Sequence, residues 1–510
     1  MHRTGAGDTS FFGHPRGLST LFFTEMWERF SYYGLRPLLV LFMSAALFDG
    51  GFGFDRGQAS AIVGIYGACV YLASLPGGWV ADRLLGLRRA IFWGALLISL
   101  GHISIGVSSF LNSRMPFFIG LILIVLGTGL LKPNISAIVG DLYPEGGARR
   151  DAGFSIFYMG INIGAFAGQL ITGFLGEQVG WHWGFSAAGL GMLIGLLTFT
   201  ARANKTLGDI GTSPSRHPDP AVQSRQERNV KLALGLGLGL LTIVVILAGT
   251  GAITIDPQAV GARLRDVMLV MVAAFFLYVF FAGGLNVEEK KRVGVILILF
   301  IFAMIFWSAF EQAPTSLNLF ARDFTDRQLG GFEIPATWFQ SVNSLFVILL
   351  APVFAAMWVG FQRRGIDLSS PAKFASGLAM AGIGFVLMIF AANRVVASGG
   401  TMLVSPWWLV GSYFFQTVGE LSLSPVGLSS MTKLSPRKYV GQMMGIWFTA
   451  SALGNLIAGL VGGHVDPENL EQMPTLFTNT TISLFVAAAV LALLAIPIRR
   501  MMRSVPAANQ

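Results

Sequence analysis

Long apolar runs, separated by short polar breaks, dominate this chain from residue 20 onward. A helix needs about 20 mostly apolar residues to cross the hydrocarbon core of a bilayer. Such runs are predicted at 20–48, 57–81, 89–111, 115–140, 153–175 and 180–201. A second series follows at 230–253, 265–285, 293–320, 335–361, 372–393, 405–432, 439–463 and 475–498. The pattern predicts fourteen membrane-spanning helices, hence an all-α polytopic membrane protein. Between the two series lies residues 204–229, rich in Pro, Ser and charge, which reads as a cytoplasmic linker. The approach to the first span, MHRTGAGDTSFFGHPRG, is polar and lacks the short apolar core of a cleavable signal peptide.

Composition removes the competing classes. Of 510 residues, 54% are hydrophobic and 12% charged, against roughly 25% charged in an average soluble protein. The mean hydropathy is +0.65. So little charge cannot cover several soluble domains, and such hydrophobicity excludes disorder. The lone Cys69 excludes a disulfide framework and a thiolate metal cluster. Of the six histidines only His102 falls deep inside a span, with no partner near it, His182 standing at the very start of another. No HExxH, CxxC or GxxxxGK[ST] occurs, so zinc hydrolysis, redox chemistry and ATP use find no support, and no cofactor is expected.

The net charge of +9 raises the question of nucleic acid, and its distribution answers it. With the N-terminus inside, 25 of the 35 Lys and Arg fall in inside segments and 7 in outside loops. That asymmetry satisfies the positive-inside rule and places both termini in the cytoplasm. The excess charge sets topology and implies no nucleic-acid partner.

The remaining cations lie inside spans. Arg29 and Arg36 share the first span with Glu25 and Glu28, Lys132 is in the fourth, Glu311 in 293–320 and Glu420 in 405–432. Unpaired, these seven groups would cost on the order of 20 kcal/mol at mid-bilayer, so each is a functional candidate by default. The blander reading is structural ion pairing between packed helices. Wound as an α-helix, Glu25, Glu28, Arg29, Tyr32, Tyr33 and Arg36 occupy an arc of about 140°, while Trp27 and Phe30 point elsewhere. A solvated surface face, the usual explanation of a polar stripe, does not exist within a bilayer.

Other polar groups carry less weight. Asn134, Asn162, Gln312, Asn343 and Asn455 lie in spans, where amides often glue helices together. Pro133, Pro314, Pro352 and Pro425 are candidate kinks. On composition alone Tyr71, Trp307 and Trp447 read as lipid anchors or packing residues.

Five stretches together resemble one family. Glu25–Gly34, EMWERFSYYG, resembles the ExxERFxYYG motif of the proton-coupled oligopeptide transporters, the POT or PTR family. GGWVADRLLGLRRAI (Gly77–Ile91) is similar to that family's version of the cytoplasmic loop motif of the major facilitator superfamily. FSIFYMGINIGAF (Phe154–Phe166) resembles its fifth-helix signature. FWSAFEQAPTSLNLFA (Phe306–Ala321) and GELSLSPVGLSSMTKLSP (Gly419–Pro436) resemble its seventh- and tenth-helix segments. The likeness covers nearly the whole chain.

The resemblance implies a major facilitator superfamily fold of two six-helix bundles, 1–203 and 293–510, joined by the linker 204–229 and an inserted pair at 230–292. It implies symport of di- and tripeptides with protons by alternating access, as a monomer, in the cell inner membrane. Carried over by position, Glu25, Glu28, Arg29 and Glu311 would couple protons. Arg36 and Lys132 would receive the peptide carboxylate, and Glu420 with Asn162 and Asn343 its ammonium. Tyr32, Tyr33, Tyr71, Trp307, Trp447 and Ser451 would line side-chain pockets. Arg36 with Glu311 would close an outer gate, and Lys132 with Glu420 an inner one. One departure is that animal relatives carry a second-helix histidine, whereas the span 57–81 has none, so proton handling must rest on carboxylates.

Three rivals remain. A carrier of the same fold could take nitrate or a peptidomimetic drug, although the pairing of Lys132 with Glu420 suits a zwitterion better than a simple anion. A peptide sensor without flux would show the same binding residues. A membrane-embedded enzyme would need a nucleophile, metal or general base near the interface, and the sequence offers neither paired histidines nor an acidic metal cluster.

Overall fold

A computed structural model describes residues 8–111, 113–215, 218–365 and 369–503. Arg3 and Arg216, counted among the inside cations, lie outside them, as do His2 and His217. The helices are α1 (Arg16–Ser44), α2 (Arg56–Val80), α3 (Leu87–Leu111), α4 (Arg114–Asp141), α5 (Gly147–Phe174), α6 (Trp181–Thr206), α7 (Pro220–Gly249) and α8 (Pro257–Phe281). There follow α9 (Val287–Phe310), α10 (Asn318–Phe324), α11 (Trp338–Arg363), α12 (Ser370–Ala397), α13 (Trp407–Leu434), α14 (Val440–Val461) and α15 (Gln472–Arg503). Apart from the seven-residue α10, fourteen long helices stand where fourteen spans are expected. Among the described residues, twelve spans are long and apolar enough to cross a membrane. The two other long helices, α1 and α13, hold Glu25, Glu28, Arg29, Arg36 and Glu420.

Local chemistry sets several boundaries. Asp219 caps α7 by accepting from the Ala221 amide at 2.8 Å, with Pro220 in the first turn, so part of the polar stretch 204–229 is helical. Asn286 and Glu289 form a reciprocal capping box that opens α9. The expected span 293–320 is not one continuous helix. It stops at Phe310, widens into a π turn over Ala313–Leu317 around Pro314, and resumes as α10. A short antiparallel hairpin, β1 (Gln328–Leu329) with β2 (Phe332–Glu333), interrupts the helices among the described residues. Gly330 and Gly331 both have positive φ there, as a tight hairpin turn requires.

The chain divides into two compact units. The first comprises Met1–Leu38 and Cys69–Asp256, and so includes α7. In it, Arg88 is buried and donates to the Gly208 carbonyl at 2.7 Å, while the Ser215 amide donates to the Asp82 carbonyl at 2.8 Å. The segment after α6 is thereby tied to the turn between α2 and α3. His102 does have a partner, since its Nε2 lies 2.6 Å from the Ser31 hydroxyl of α1.

The second unit comprises Leu39–Ala68 and Pro257–Gln510. The N-terminal half of α2 packs on α14 backbone to backbone, for a Cβ placed on Gly64 would meet the Gly459 Cα at 2.8 Å. Such close approach is how small residues associate membrane helices.

Candidate functional site

In the first unit the site begins with how α1 is held. Gly164 and Gly168 of α5 let its backbone approach closely, since a Cβ there would stand 2.1 Å from the Met26 carbonyl and 2.4 Å from that of Phe30. Thr172 donates to the Gly34 carbonyl at 2.8 Å. These contacts occupy one face of α1 and leave the charged stripe on another.

Along that stripe Arg29 bridges two carboxylates. Its Nε lies 3.1 Å from Glu25 Oε1 and also contacts Glu28 Oε2. The three residues are only 2%, 1% and 2% exposed. Glu25 Oε2, Glu28 Oε1 and Arg29 Nη2 are buried without a hydrogen-bond partner among the described residues. Buried charges persist only when paired. This trio holds two negative charges against one positive, so a proton or a further cation has a place in it.

The stripe continues toward the C-terminal end of α1. The Arg29 and Arg36 guanidinium groups stand 5.3 Å and 5.9 Å from the Tyr32 ring centre, and Tyr33 packs edge-on to Tyr32 at 5.1 Å. Lys132 of α4 sits 4.4 Å from the Tyr71 ring centre and within electrostatic range of Glu25. The structure thus collects Glu25, Glu28, Arg29, Tyr32, Tyr33 and Arg36 in one array, with Lys132 and Tyr71 as a second pair. Asn162 instead bonds back to the Tyr158 carbonyl of its own helix at 3.0 Å, as helix-gluing amides do.

In the second unit Asn343 Nδ2 donates to Glu420 Oε2 at 3.2 Å and to the Thr417 hydroxyl at 2.8 Å. Glu311 lies within electrostatic range of Glu420. Trp447 packs edge-on to Phe374 at 6.3 Å, and Trp307 contacts Phe306 and Phe310 at 5.4 and 5.3 Å. The Ser451 carbonyl accepts from Asn455. Arg36 and Lys132 belong to the first unit, Glu311 and Glu420 to the second.

A further ionic cluster was not anticipated. Arg56 Nη1 bonds Asp323 Oδ2 at 2.5 Å and the Val465 carbonyl at 3.0 Å, and its Nε lies 3.7 Å from Asp466. Arg322 bonds Asp323 at 2.8 Å. In sequence these charges read only as loop residues. No cluster of His, Cys, Asp or Glu suited to a metal ion occurs among the described residues.

With this geometry in hand, comparison with known proteins is informative. A sequence model of the POT family matches residues 88–475. The peptide transporter YePEPT of Yersinia enterocolitica is 49% identical over 502 residues, 98% of this chain and 97% of its own. A di-/tripeptide transporter of Lactococcus lactis is 39% identical over 471 residues, 90% and 91% of the two chains. A crystal structure of a mutant peptide transporter POT in complex with alafosfalin superposes with a TM-score of 0.86 at 41% identity, covering 96% of each chain.

Proposed function

We propose that this chain, which belongs to the POT family, is a proton-coupled carrier of di- and tripeptides that works by alternating access. The observation that carries the reading is the buried Arg29 holding both Glu25 and Glu28. Protonating either carboxylate removes part of what holds the guanidinium, which then turns to another anion. Proton binding and peptide binding become coupled at one residue. One positive charge crossing 100 mV releases about 2.3 kcal/mol, and about 1.4 kcal/mol is tenfold, so roughly 40-fold accumulation needs no ATP.

A short peptide has a carboxylate at one end, an ammonium at the other and variable side chains between. Arg36 and Lys132 supply cations for the first, and Glu420, positioned by Asn343, supplies an anion for the second. Asn162 assists at the ammonium end. The aromatic rings of Tyr32, Tyr33, Tyr71, Trp307 and Trp447, with Ser451, would border side-chain pockets without fixing their content. Glu311 completes the proton-coupling set. In this reading residues 1–203 and 293–510 are the moving halves, 204–229 the linker and 230–292 the inserted pair. Arg36 with Glu311 closes the outer gate and Lys132 with Glu420 the inner one. The Arg56–Asp323–Asp466 cluster adds an ionic tie at the outer end.

The chain acts in the cell inner membrane as a monomer, with both termini in the cytoplasm, and as a carrier rather than an enzyme. Support comes from the charge asymmetry of its loops and from relatives named as transporters. Counterflow separates this reading from a sensor. Vesicles loaded with unlabelled dialanine should take up external labelled dialanine, and a sensor would exchange none.

A further inference from the structure

The second unit contains an open crevice of about 620 Å³ bordered by α9, α14 and α15, which is no part of the array described above. Its wall carries Glu471 just before α15, and along α15 Thr475, Asn479 and Ser483, each four residues from the last, so these three stand on one helix face. All four are exposed. Along α15 the wall runs from Gln472 to Leu484, about 18 Å at 1.5 Å per residue, or more than half of a hydrocarbon core about 30 Å thick. The Thr475 hydroxyl is satisfied by the Glu471 carbonyl at 3.2 Å, but the Asn479 amide and the Ser483 hydroxyl cannot face lipid tails at that depth without partners. On the α9 side the crevice reaches Gln312, whose Nε2 donates to the Thr480 hydroxyl at 3.1 Å. Gln312 follows Glu311 directly, and both sit where α9 stops before the π turn.

We propose that this crevice is filled with water and conducts protons from the outer face to the helix break that carries Glu311, by a route separate from the peptide's. The proposal rests on the functional reading above, in which Glu311 takes a proton and Glu471 faces outside. Hydronium enters at the mouth beside Glu471 and its proton passes from water to water along the α15 stripe. At the broken turn the Glu311 carboxylate takes the proton and becomes a carboxylic acid, leaving water behind. A break in a membrane helix suits such an ending, because irregular backbone at that depth is tolerated beside a water-filled cavity. On its other side Glu311 acts on Glu420, so a proton arriving there changes the electrostatics at the ammonium site.

Two measurements on the reconstituted full chain test this, in a Cys69→Ala background. In the first, Asn479→Cys and Ser483→Cys are treated from outside with a membrane-impermeant cationic thiol reagent. Both should react within about threefold of Leu329→Cys in the exposed hairpin. Ile482→Cys, at the same depth on another exposed face of α15, should react at least tenfold more slowly. Equal rates at 479, 482 and 483 would overturn a hydrated crevice.

In the second, the double variant Asn479→Leu/Ser483→Leu should lower proton-driven dipeptide uptake at least tenfold and keep counterflow within twofold. Asn479→Gln/Ser483→Thr should retain uptake. Unchanged uptake in the leucine pair, or equal loss of both modes at an unchanged Tm, would overturn the route. If the leucine pair fails to fold, the labelling rates decide alone. Absence of proton-driven uptake in the parent chain would instead refute the functional reading, and would be seen before any variant is made.

Discussion

Arg29 Nε lies 3.1 Å from Glu25 Oε1 within a helix otherwise committed to apolar packing, and the same nitrogen contacts Glu28. The guanidinium is therefore shared between two carboxylates, and its allegiance depends on their protonation. Glu28→Gln mimics permanent protonation at one of them. It should reduce proton-driven accumulation at least tenfold while counterflow stays within about threefold. Equal loss of both would assign Glu28 a structural role.

Arg29→Ala is a harsher change. Removing one partner of a buried ionic cluster costs about 3–5 kcal/mol, because Glu25 and Glu28 would then face each other uncompensated. A large fall in Tm in detergent is expected, with partial recovery in Glu28→Gln/Arg29→Ala.

Lys132 carries the prediction about cargo. A charged hydrogen bond contributes about 1.5–3 kcal/mol, so Lys132→Ala should weaken peptides with a free carboxylate by roughly 10- to 100-fold. C-terminal amides should be much less affected. Competition against labelled dialanine measures both, and an equal effect would remove Lys132 from the carboxylate site.

The contact that orients α1 gives a stability prediction. A methyl at Gly164 would stand 2.1 Å from the Met26 carbonyl, whereas Gly106 has open space. Overpacking costs about 1–3 kcal/mol, so Gly164→Ala should lower Tm clearly and Gly106→Ala should leave it unchanged or slightly raised.

Just before α1, His14 Nδ1 lies 2.8 Å from the Tyr143 hydroxyl, and burial followed by nearby Arg149 holds the imidazole below its ordinary pKa of 6.5. The unfolded chain therefore binds a proton at His14 more readily than the folded one. The associated stability is complete above pH 6.5 and lost as pH falls through the depressed folded value. The parent should lose more Tm than His14→Gln between pH 7 and 5; parallel curves would contradict it.

The fold was legible because hydrophobic run length is a direct physical requirement of the bilayer, and fourteen runs became fourteen long helices. The α1 stripe was legible for a related reason, as a polar face at helical period has no solvent to meet inside a membrane. The break after Phe310 was only half visible. Pro314 marked a kink, but the apolar run resumes beyond the polar stretch Glu311–Ser316, so the whole read as one span. The Arg56–Asp323 pair was invisible, being 267 residues apart with both partners reading as ordinary loop charges. His102 seemed isolated because Ser31, 71 positions away, is too common a residue to single out. Asn162 illustrates the opposite limit, where a position singled out in sequence makes a bond within its own helix.

The central claim is that a proton gradient drives a zwitterionic peptide through this chain. The most direct measurement is uptake of labelled dialanine by proteoliposomes of the purified protein under an imposed inward proton gradient. Accumulation well above the external concentration, abolished by a protonophore, is expected. No accumulation of dialanine, with uptake of nitrate under the same gradient, would contradict it.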